Sequence, residues 1–332
     1  MCNKSFGRIF ARFFSLIMKE NFTLIFEKQP IIVEDVKGKL PTNCIYPIHS
    51  ADDAKKYQFE KATLLKQKCY FDHYQIDSFE LDTKTPFRIQ YKLSERQIFI
   101  SFIFHNDISF TAQGDIPMLV AKELTHYISY EDIGTFGVNC SPGNTVLLVV
   151  SVNPHWLLKA VADYPLLTEA VRGLLENGSP FEILPHFKID KKIKEWIFQV
   201  RNFTHENRFA RDSFIATHLA MGLGNYEKSL AQTDTGKIYQ IKLYIEREFA
   251  DPNLELRPII SSFGFSERTA MRKFKAIYGM SMRTFKKNYR ISVACNLMQK
   301  EKIPAAKIIQ KVGYLNTNSF YKALREFQTD KK

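Results

Sequence analysis

"KIIQKVGYLNTNSFYKALREF" occupies residues 307–327 of a 332-residue chain, and "PIISSFGFSERTAMRKFKAIYG" occupies residues 258–279. Both carry Ile-Ile, two polar residues, an apolar residue, a glycine and an aromatic. The first copy has Ile259, Ile260, Phe263, Gly264 and Phe265; the second, 49 residues on, has Ile308, Ile309, Val312, Gly313 and Tyr314. In the first copy a short apolar helix is expected to end at Phe263. Gly264 then allows the positive φ that a tight exit from a helix needs. Phe265 closes onto the core, and Ser266 is placed to cap the next helix. That helix is expected to show Arg268, Met271, Arg272 and Lys275 on one face and to turn Phe274 and Ile277 inward. Two helices joined by a glycine turn, the second basic, describe a helix-turn-helix, whose second helix fits the major groove of DNA. The second copy repeats the plan with a helix beginning near Asn316. It exposes Thr317, Asn318, Tyr321, Lys322 and Arg325 and buries Phe320 and Leu324.

Between the copies, "MRTFKKNYRISVACNLMQKE" reads as one long helix. Twenty helical residues span roughly 30 Å, and successive major grooves on one face of DNA lie roughly 34 Å apart. A duplicated motif on such a spacer suits two adjacent grooves. Pro304 falls near the start of the second scaffold helix, where its missing N–H costs little.

Charge points the same way. From residue 236 onward there are 13 Lys and 7 Arg against 8 Asp and Glu, a surplus that equals the +12 of the whole chain. The first 235 residues are balanced. A polyanion-binding module joined to a neutral one fits this asymmetry. Five cysteines, odd in number and without CxxC pairs, argue against a disulfide framework and against zinc. No apolar run approaches the ~20 residues of a membrane span. The opening "MCNKSFGRIFARFFSLIMKEN" has basic residues among apolar ones but no small-residue cleavage site, so it reads poorly as a secretory signal. Residues 1–20 are taken as a tail or a misassigned start, with Met18 as the natural beginning.

Residues 21–153 form the expected β-rich part, with strands from about residue 43 to residue 152. "CYFDHYQIDSFEL" and "PFRIQYKLS" alternate in part, "QIFISFIFHNDISFTAQG" suggests a hairpin turning at Asn106-Asp107, and "TVLLVVSV" suits a buried strand. A small β-barrel or sandwich follows. Residues 154–229 take a helical period in "HWLLKAVADYP", "LLTEAVRGLLENG" (stopped by Gly178), "KIDKKIKEWIFQVRNFT" and "RDSFIATHLAMGLGNYEKSL". Trp196, Val200 and Phe203 share a stripe that suits either core or a dimer seam. "SLAQTDTG" marks a linker over residues 230–236, and residues 237–332 form the all-α module.

The stretches "YIEREFADPNLEL", "FGFSERTAMRKFKAIYGMS", "YRISVACNLM" and "IIQKVGYLNTNSFYKALREF" resemble the AraC/XylS family of bacterial transcription regulators across residues 237–327. The resemblance is weaker in the first two thirds, where the family is diverse. It implies an α+β chain: an N-terminal cupin-like β-barrel with trailing helices, then an all-α domain with two helix-turn-helix motifs. It further implies a cytoplasmic, non-enzymatic protein that binds double-stranded promoter DNA and contacts RNA polymerase. A small-molecule effector and a homodimer are also in keeping with it, and neither a membrane nor a metal or other cofactor is implied. By motif position, Arg268, Met271, Arg272, Thr317, Asn318, Tyr321 and Lys322 would face bases, and Ser266, Lys275 and Arg325 phosphates. Four departures stand out. Ile260 and Ile309 replace a usual Ala; Ala270 replaces a usual Leu, making room for Ile260; Met271 and Tyr321 are less usual readers than Gln or Thr; and "QTDKK" stands where the family continues with a Gly, a Pro and an aromatic-Arg ending, so the last core contacts are expected to be missing or the gene truncated.

The alternative from another class is a β-barrel small-molecule binder or enzyme with a helical appendage. A metal-dependent cupin would need HxH, a Glu and a later His; His73, His105 and His126 do not provide that spacing. No Walker A or dinucleotide fingerprint occurs. Phe87, Tyr91, Phe99, Phe102, Phe104 and Phe110 are the aromatics that either pack the barrel or line a ligand pocket.

Overall fold

The computed structural model describes residues 20–176, 179–205, 207–300 and 305–329. Met18, Gly178 and Pro304, to which the sequence assigns a start, a stop and a helix entry, lie outside the described residues. The chain divides into two compact units between Glu227 and Lys228.

The first unit is built on fourteen described strands: β1 (Thr23–Phe26), β2 (Ile32–Asp35), β3 (Asp53–Gln58), β4 (Ala62–Tyr70), β5 (Tyr74–Thr83), β6 (Phe87–Leu93), β7 (Gln97–His105), β8 (Ile108–Ala112), β9 (Ile116–Ala121), β10 (Thr125–Glu131), β11 (Gly134–Cys140), β12 (Gly143–Val152), β13 (Phe181–Ile183) and β14 (Phe187–Lys188). Their pairing is antiparallel. One sheet runs β1-β6-β11-β8-β9 and the other β13-β10-β7-β12-β5-β4-β3-β2, with β14 also on β10. The two sheets bury a common apolar layer, with Leu64, Leu81, Phe99 and Tyr127 from one and Ile89, Phe110 and Phe136 from the other. Neither sheet closes on itself, so the expected cupin-like barrel is here a sandwich of two open sheets and a barrel only loosely.

The expected hairpin at Asn106-Asp107 is a corner. β7 pairs with β10 and β12, whereas β8 pairs with β9 and β11 in the other sheet. Asn106 takes a positive φ of 68°. Its amide donates to Ser141 O and Thr145 Oγ1, and Asp107 accepts from Lys122 Nζ and the Glu123 N–H. Side-chain bonds to distant strands, invisible in local pattern, decide the path. Strands also begin earlier than residue 43, at β1, and two short ones, β13 and β14, interrupt the region expected to be wholly helical. Both add to the exposed side of β10 and are too short for an alternation signal.

The helices of this unit are α1 (Pro154–Ala160), α2 (Pro165–Glu176), α3 (Lys191–Asn202) and the part of α4 (Arg208–Gln232) up to Glu227. Helical side chains cover the outer face of the larger sheet, so β7 and β12 are buried on both faces. That is why "IFISFIF" and "TVLLVVSV" are continuous apolar runs. Trp196 packs 5.4 Å from Phe102 of β7, Val200 is buried, and Phe203 stacks on Phe214 of α4 at 3.8 Å. Val200 is thus core of this unit, while Trp196 and Phe203 stay half-buried. The linker expectation also changes: α4 continues to Gln232, and the chain leaves helical geometry only at Thr233. Its hydroxyl accepts the Gly236 N–H as cap of α5 (Asp234–Arg247). Leu230 is fully buried, so "SLAQ" reads as loop by polarity yet is held as helix by one packed leucine.

Between the sheets lies a cavity of about 80 Å³ whose lining is apolar apart from Tyr91, Ser101, Tyr127, Glu131 and Thr145. Of the aromatics picked from sequence, Tyr91, Phe99 and Phe110 line it. Phe102 and Phe104 point to the other face of β7, because residues alternate along a strand; Phe104 stacks on Tyr46 at 4.5 Å. Phe87 packs on Phe59 instead, at 5.0 Å.

Burial pushes the Glu131 carboxyl up to about 7 from an ordinary 4.5, against the smaller opposing pull of hydrogen bonds from Tyr91 and Ser129. The folded protein therefore holds this proton where the unfolded chain releases it, and the stabilising protonated form is lost as pH rises from about 4.5 through 7. The cost above that window is about 3 kcal/mol at 1.36 kcal/mol per pKa unit. Glu131→Gln is expected to be near-neutral at pH 4.5 and to gain stability relative to wild type by about that amount at pH 8. Urea unfolding of both proteins at the two pH values measures the difference.

Candidate nucleic-acid interface

The second unit contains α5, α6 (Arg257–Ser262), α7 (Glu267–Tyr278), α8 (Met282–Lys300), α9 (Ala305–Lys311) and α10 (Thr317–Thr329). The two motifs form α6–α7 and α9–α10. Both turns have the same hydrogen-bond pattern. Gly264 N–H donates to Ser261 O and Phe265 N–H to Ile260 O; Gly313 N–H donates to Gln310 O and Tyr314 N–H to Ile309 O. Both glycines sit at φ 75°. The bond from the aromatic residue back to the second isoleucine closes the helix end and delivers the aromatic ring to the core.

The recognition helices are capped alike. Ser266 Oγ accepts the Thr269 N–H at 3.2 Å, and Asn316 Oδ1 accepts the Ser319 N–H at 2.8 Å. Gly264 lies two residues before its cap and Gly313 three, so the second turn is one residue longer. The extra residue is accommodated at the turn, where Leu315 is 82% exposed. From the caps onward the helices superpose in sequence with an offset of fifty. Phe274 then corresponds to Leu324, Ala270 to Phe320, and Met271 to Tyr321.

Every residue picked for DNA contact is exposed: Ser266, Arg268, Met271, Arg272 and Lys275 in the first motif, and Thr317, Asn318, Tyr321, Lys322 and Arg325 in the second. Spacing of three and four places Arg268, Met271, Arg272 and Lys275 on one face of α7, and Asn318, Tyr321, Lys322 and Arg325 on the same face of α10. Ser266 already spends its hydroxyl, which donates to Thr269 Oγ1 at 2.9 Å, and Arg325 Nε donates to Tyr321 O within its own helix. The opposite faces are core. Ala270 and Phe274 are buried, as is Phe320, with Leu324 partly buried beside it. Ile277 is the exception, 42% exposed. The stripe continues from Ala270 and Phe274 to Tyr278, whose ring packs 4.6 Å from Phe274; Ile277 lies to one side.

Each motif has its own core. Ile238, Ile241 and Ile245 of α5 pack with Ile260, Ala270, Phe274 and Met282. Large Ile260 and small Ala270 thus share one cluster, in line with the compensating exchange read from sequence. Ile291, Ala294, Ile308, Ile309, Val312, Phe320 and Ala323 form the other. Ion pairs fasten the exposed edges: Lys273 to Asp234 at 2.8 Å, and Lys287 of α8 to Glu326 of α10 at 2.7 Å. Arg290, which the sequence reading did not single out, donates from Nε to Phe249 O at 2.6 Å and from Nη2 to Asp251 O at 2.8 Å, and its guanidinium lies over the Tyr314 ring. Burial lowers its pKa. It clamps the turn after α5 against the second motif; no local motif would have revealed an arginine serving backbone carbonyls some forty residues away.

Residues 260–328 match the family model described as a helix-turn-helix domain. That match makes this part of the chain a helix-turn-helix domain of the AraC type. No curated protein matches the chain. Solved structures similar to it include ToxT from Vibrio cholerae, at 13% identity, covering 76% of this chain and 94% of that one with a TM-score of 0.31. The AraC-like transcriptional activator CuxR matches at 11% identity over 91% of this chain and 95% of its own, TM-score 0.29. An RmlC-like cupin protein from Desulfovibrio desulfuricans matches at 14% identity over 26% of this chain and 80% of its own, TM-score 0.22.

The two turn glycines of the DNA-binding domain should respond differently to alanine. At Gly264 a β-carbon meets nothing within 4 Å, so Gly264→Ala carries only the left-handed backbone cost, about 1–2 kcal/mol. At Gly313 a β-carbon would also lie 2.5 Å from Ala250 O and 2.8 Å from Arg290 Nη2. Gly313→Ala is expected to lose clearly more stability, with α9–α10 amides losing hydrogen-exchange protection first. Thermal unfolding and hydrogen exchange on the two variants check the order.

Proposed function

We propose that this regulator reads two adjacent major grooves of promoter DNA with α7 and α10, using Arg268, Met271 and Arg272 from one helix and Thr317, Asn318, Tyr321 and Lys322 from the other. Lys275 and Arg325 serve phosphates, together with the N-terminal end of α7 at Ser266. The observation that carries this is the pair of like-capped helices, each presenting its polar residues on one exposed face, in the part of the chain that holds all the surplus positive charge. Nineteen-residue α8 between them is about 28 Å long at 1.5 Å per residue, near the repeat of the groove. Counterion release from the basic residues supplies affinity for any duplex, and base contacts add sequence preference. The reading is of a binding protein acting in the cytoplasm through contact with RNA polymerase, without catalysis of its own. Among the described residues, no helix is long and apolar enough to cross a membrane. The cavity of the first unit is the effector site in this reading, as a largely apolar enclosure with a few convergent polar groups.

Arg272→Ala is expected to weaken binding to the selected site by about 1–3 kcal/mol, the scale of a good base contact, and to leave random duplex nearly unaffected. Lys275→Ala should weaken all duplexes alike and flatten the salt slope by about one unit. Gel-shift titrations at several salt concentrations separate the two. Equal losses on specific and random DNA for Arg272→Ala would move that residue from base to phosphate, and an absence of salt dependence in the wild type would sink the DNA-reading proposal.

A further inference from the structure

The polar side of the inter-sheet cavity narrows the chemistry of what it can hold. Glu131 is fully buried in the cavity wall, with Tyr91 Oη donating to its Oε2 at 2.6 Å and Ser129 Oγ to its Oε1 at 3.5 Å. An ionised carboxylate can accept about four hydrogen bonds, and the second of these two is at the outer limit of bonding distance. Tyr127 Oη and Ser101 stand on the same wall. None of these neighbours is cationic, and Gln97, across the strand pair from Glu131, is neutral as well. Buried acids are ordinarily paired with a cation or a metal. This one is paired with two hydroxyls and faces open space.

Cations do lie behind the cavity, but they are engaged. Lys66 Nζ sits 5.5 Å from the ring centre of Phe22 and 5.8 Å from that of Phe79, two of the lining residues. It pairs with Asp77 at 3.8 Å, while Lys68 pairs with Asp77 at 3.7 Å and with Glu20 at 2.8 Å. A ligand carboxylate entering the cavity would meet Glu131 and no uncommitted lysine at this cluster. Space is adequate for a small organic group: a cavity needs roughly 10–15 Å³ to take one water, and this one offers about 80 Å³.

We propose that the cavity takes an apolar ligand carrying one hydrogen-bond-donating head group, an amine or a hydroxyl, seated against Glu131 with Tyr91 beside it, and that it rejects carboxylates. This rests on the effector reading above and adds the chemical class. An amine gains both a hydrogen bond and a charge partner; a hydroxyl gains the hydrogen bond and can in turn accept from Tyr127 or Ser101; a carboxylate meets like charge in a low-dielectric enclosure.

Three probes of nearly equal shape test it: 2-phenylethylamine, 2-phenylethanol and phenylacetate, titrated calorimetrically into the full-length protein at pH 8, above the range where Glu131 holds its proton. The amine is expected to bind at least tenfold more tightly than phenylacetate, with the alcohol between them. Glu131→Gln should bring the amine to within about threefold of the alcohol, on the scale of one lost charge-assisted bond. Leu147→Trp, which fills the cavity, should abolish binding of all three. If Glu131→Gln does not fold, Tyr91→Phe takes its place and should relax the preference against phenylacetate at least threefold. Phenylacetate binding as tightly as the amine, or an amine preference that survives Glu131→Gln, would overturn the head-group assignment and leave the cavity as an effector site. Failure of all three probes to bind would overturn the assignment and remove its support from the effector reading as well.

Discussion

A peptide chain leaves an α-helix sharply only through a residue that accepts positive φ, and the DNA-binding domain depends on two such exits. At Gly264 and Gly313 the backbone turns at φ 75°, and the following aromatic N–H reaches back to the carbonyl of the second isoleucine in each motif. That one arrangement does three things. It satisfies helix-end carbonyls, sends Phe265 or Tyr314 into the core, and sets where the next helix begins. Caps at Ser266 and Asn316 then fix the rotation of α7 and α10, so that Phe274 and Phe320 point inward and the basic face points out. Without the left-handed turn, neither the core nor the exposed polar face would form as it does.

Much of this was legible because it is local. A duplicated Ile-Ile, a glycine and an aromatic residue specify backbone geometry within a few residues, and side chains at intervals of three and four follow from helix periodicity. All ten residues picked for DNA contact are exposed for that reason. What failed was whatever depended on a distant partner. Ile277 and Tyr278 are adjacent and both apolar; only Phe274 and Phe285, folded against them, decide that Tyr278 is the one taken in. Leu230 turns a polar stretch into helix because it is buried, which its neighbours do not announce. The longer second turn was present in the letters, yet matching the copies on their glycines at an interval of 49 residues hid the offset of the helices that follow.

Strand pairing shows the same limit in the first unit. The run of β12 suits a buried strand, but it does not say which strands lie beside it, and Asn106 sends β8 into the other sheet through bonds to Ser141 and Thr145. The alternation of β7 likewise divided the aromatics chosen from sequence between the inter-sheet layer and the opposite face. Glu131 gave no signal at all. A glutamate closing a strand looks like a surface residue, and only the closure of Tyr91 and Ser129 around it makes it a buried acid. Charge chemistry thus takes two unlike forms: many exposed cations in one unit, and in the other a desolvated carboxyl that faces a cavity.

Helix α8 gives its first turns, with Met282 and Phe285, to one core and its later turns, from Ile291 onward, to the other. A residue that packs in one cluster has no place in the second, and packing changes at well-separated sites add rather than compound. The architecture is therefore forgiving of divergence. Mutation can repack the core beneath one exposed helix while the other core, and the helix it carries, keep their arrangement. The two halves of this unit are thus free to diverge in separate steps, each over its own core.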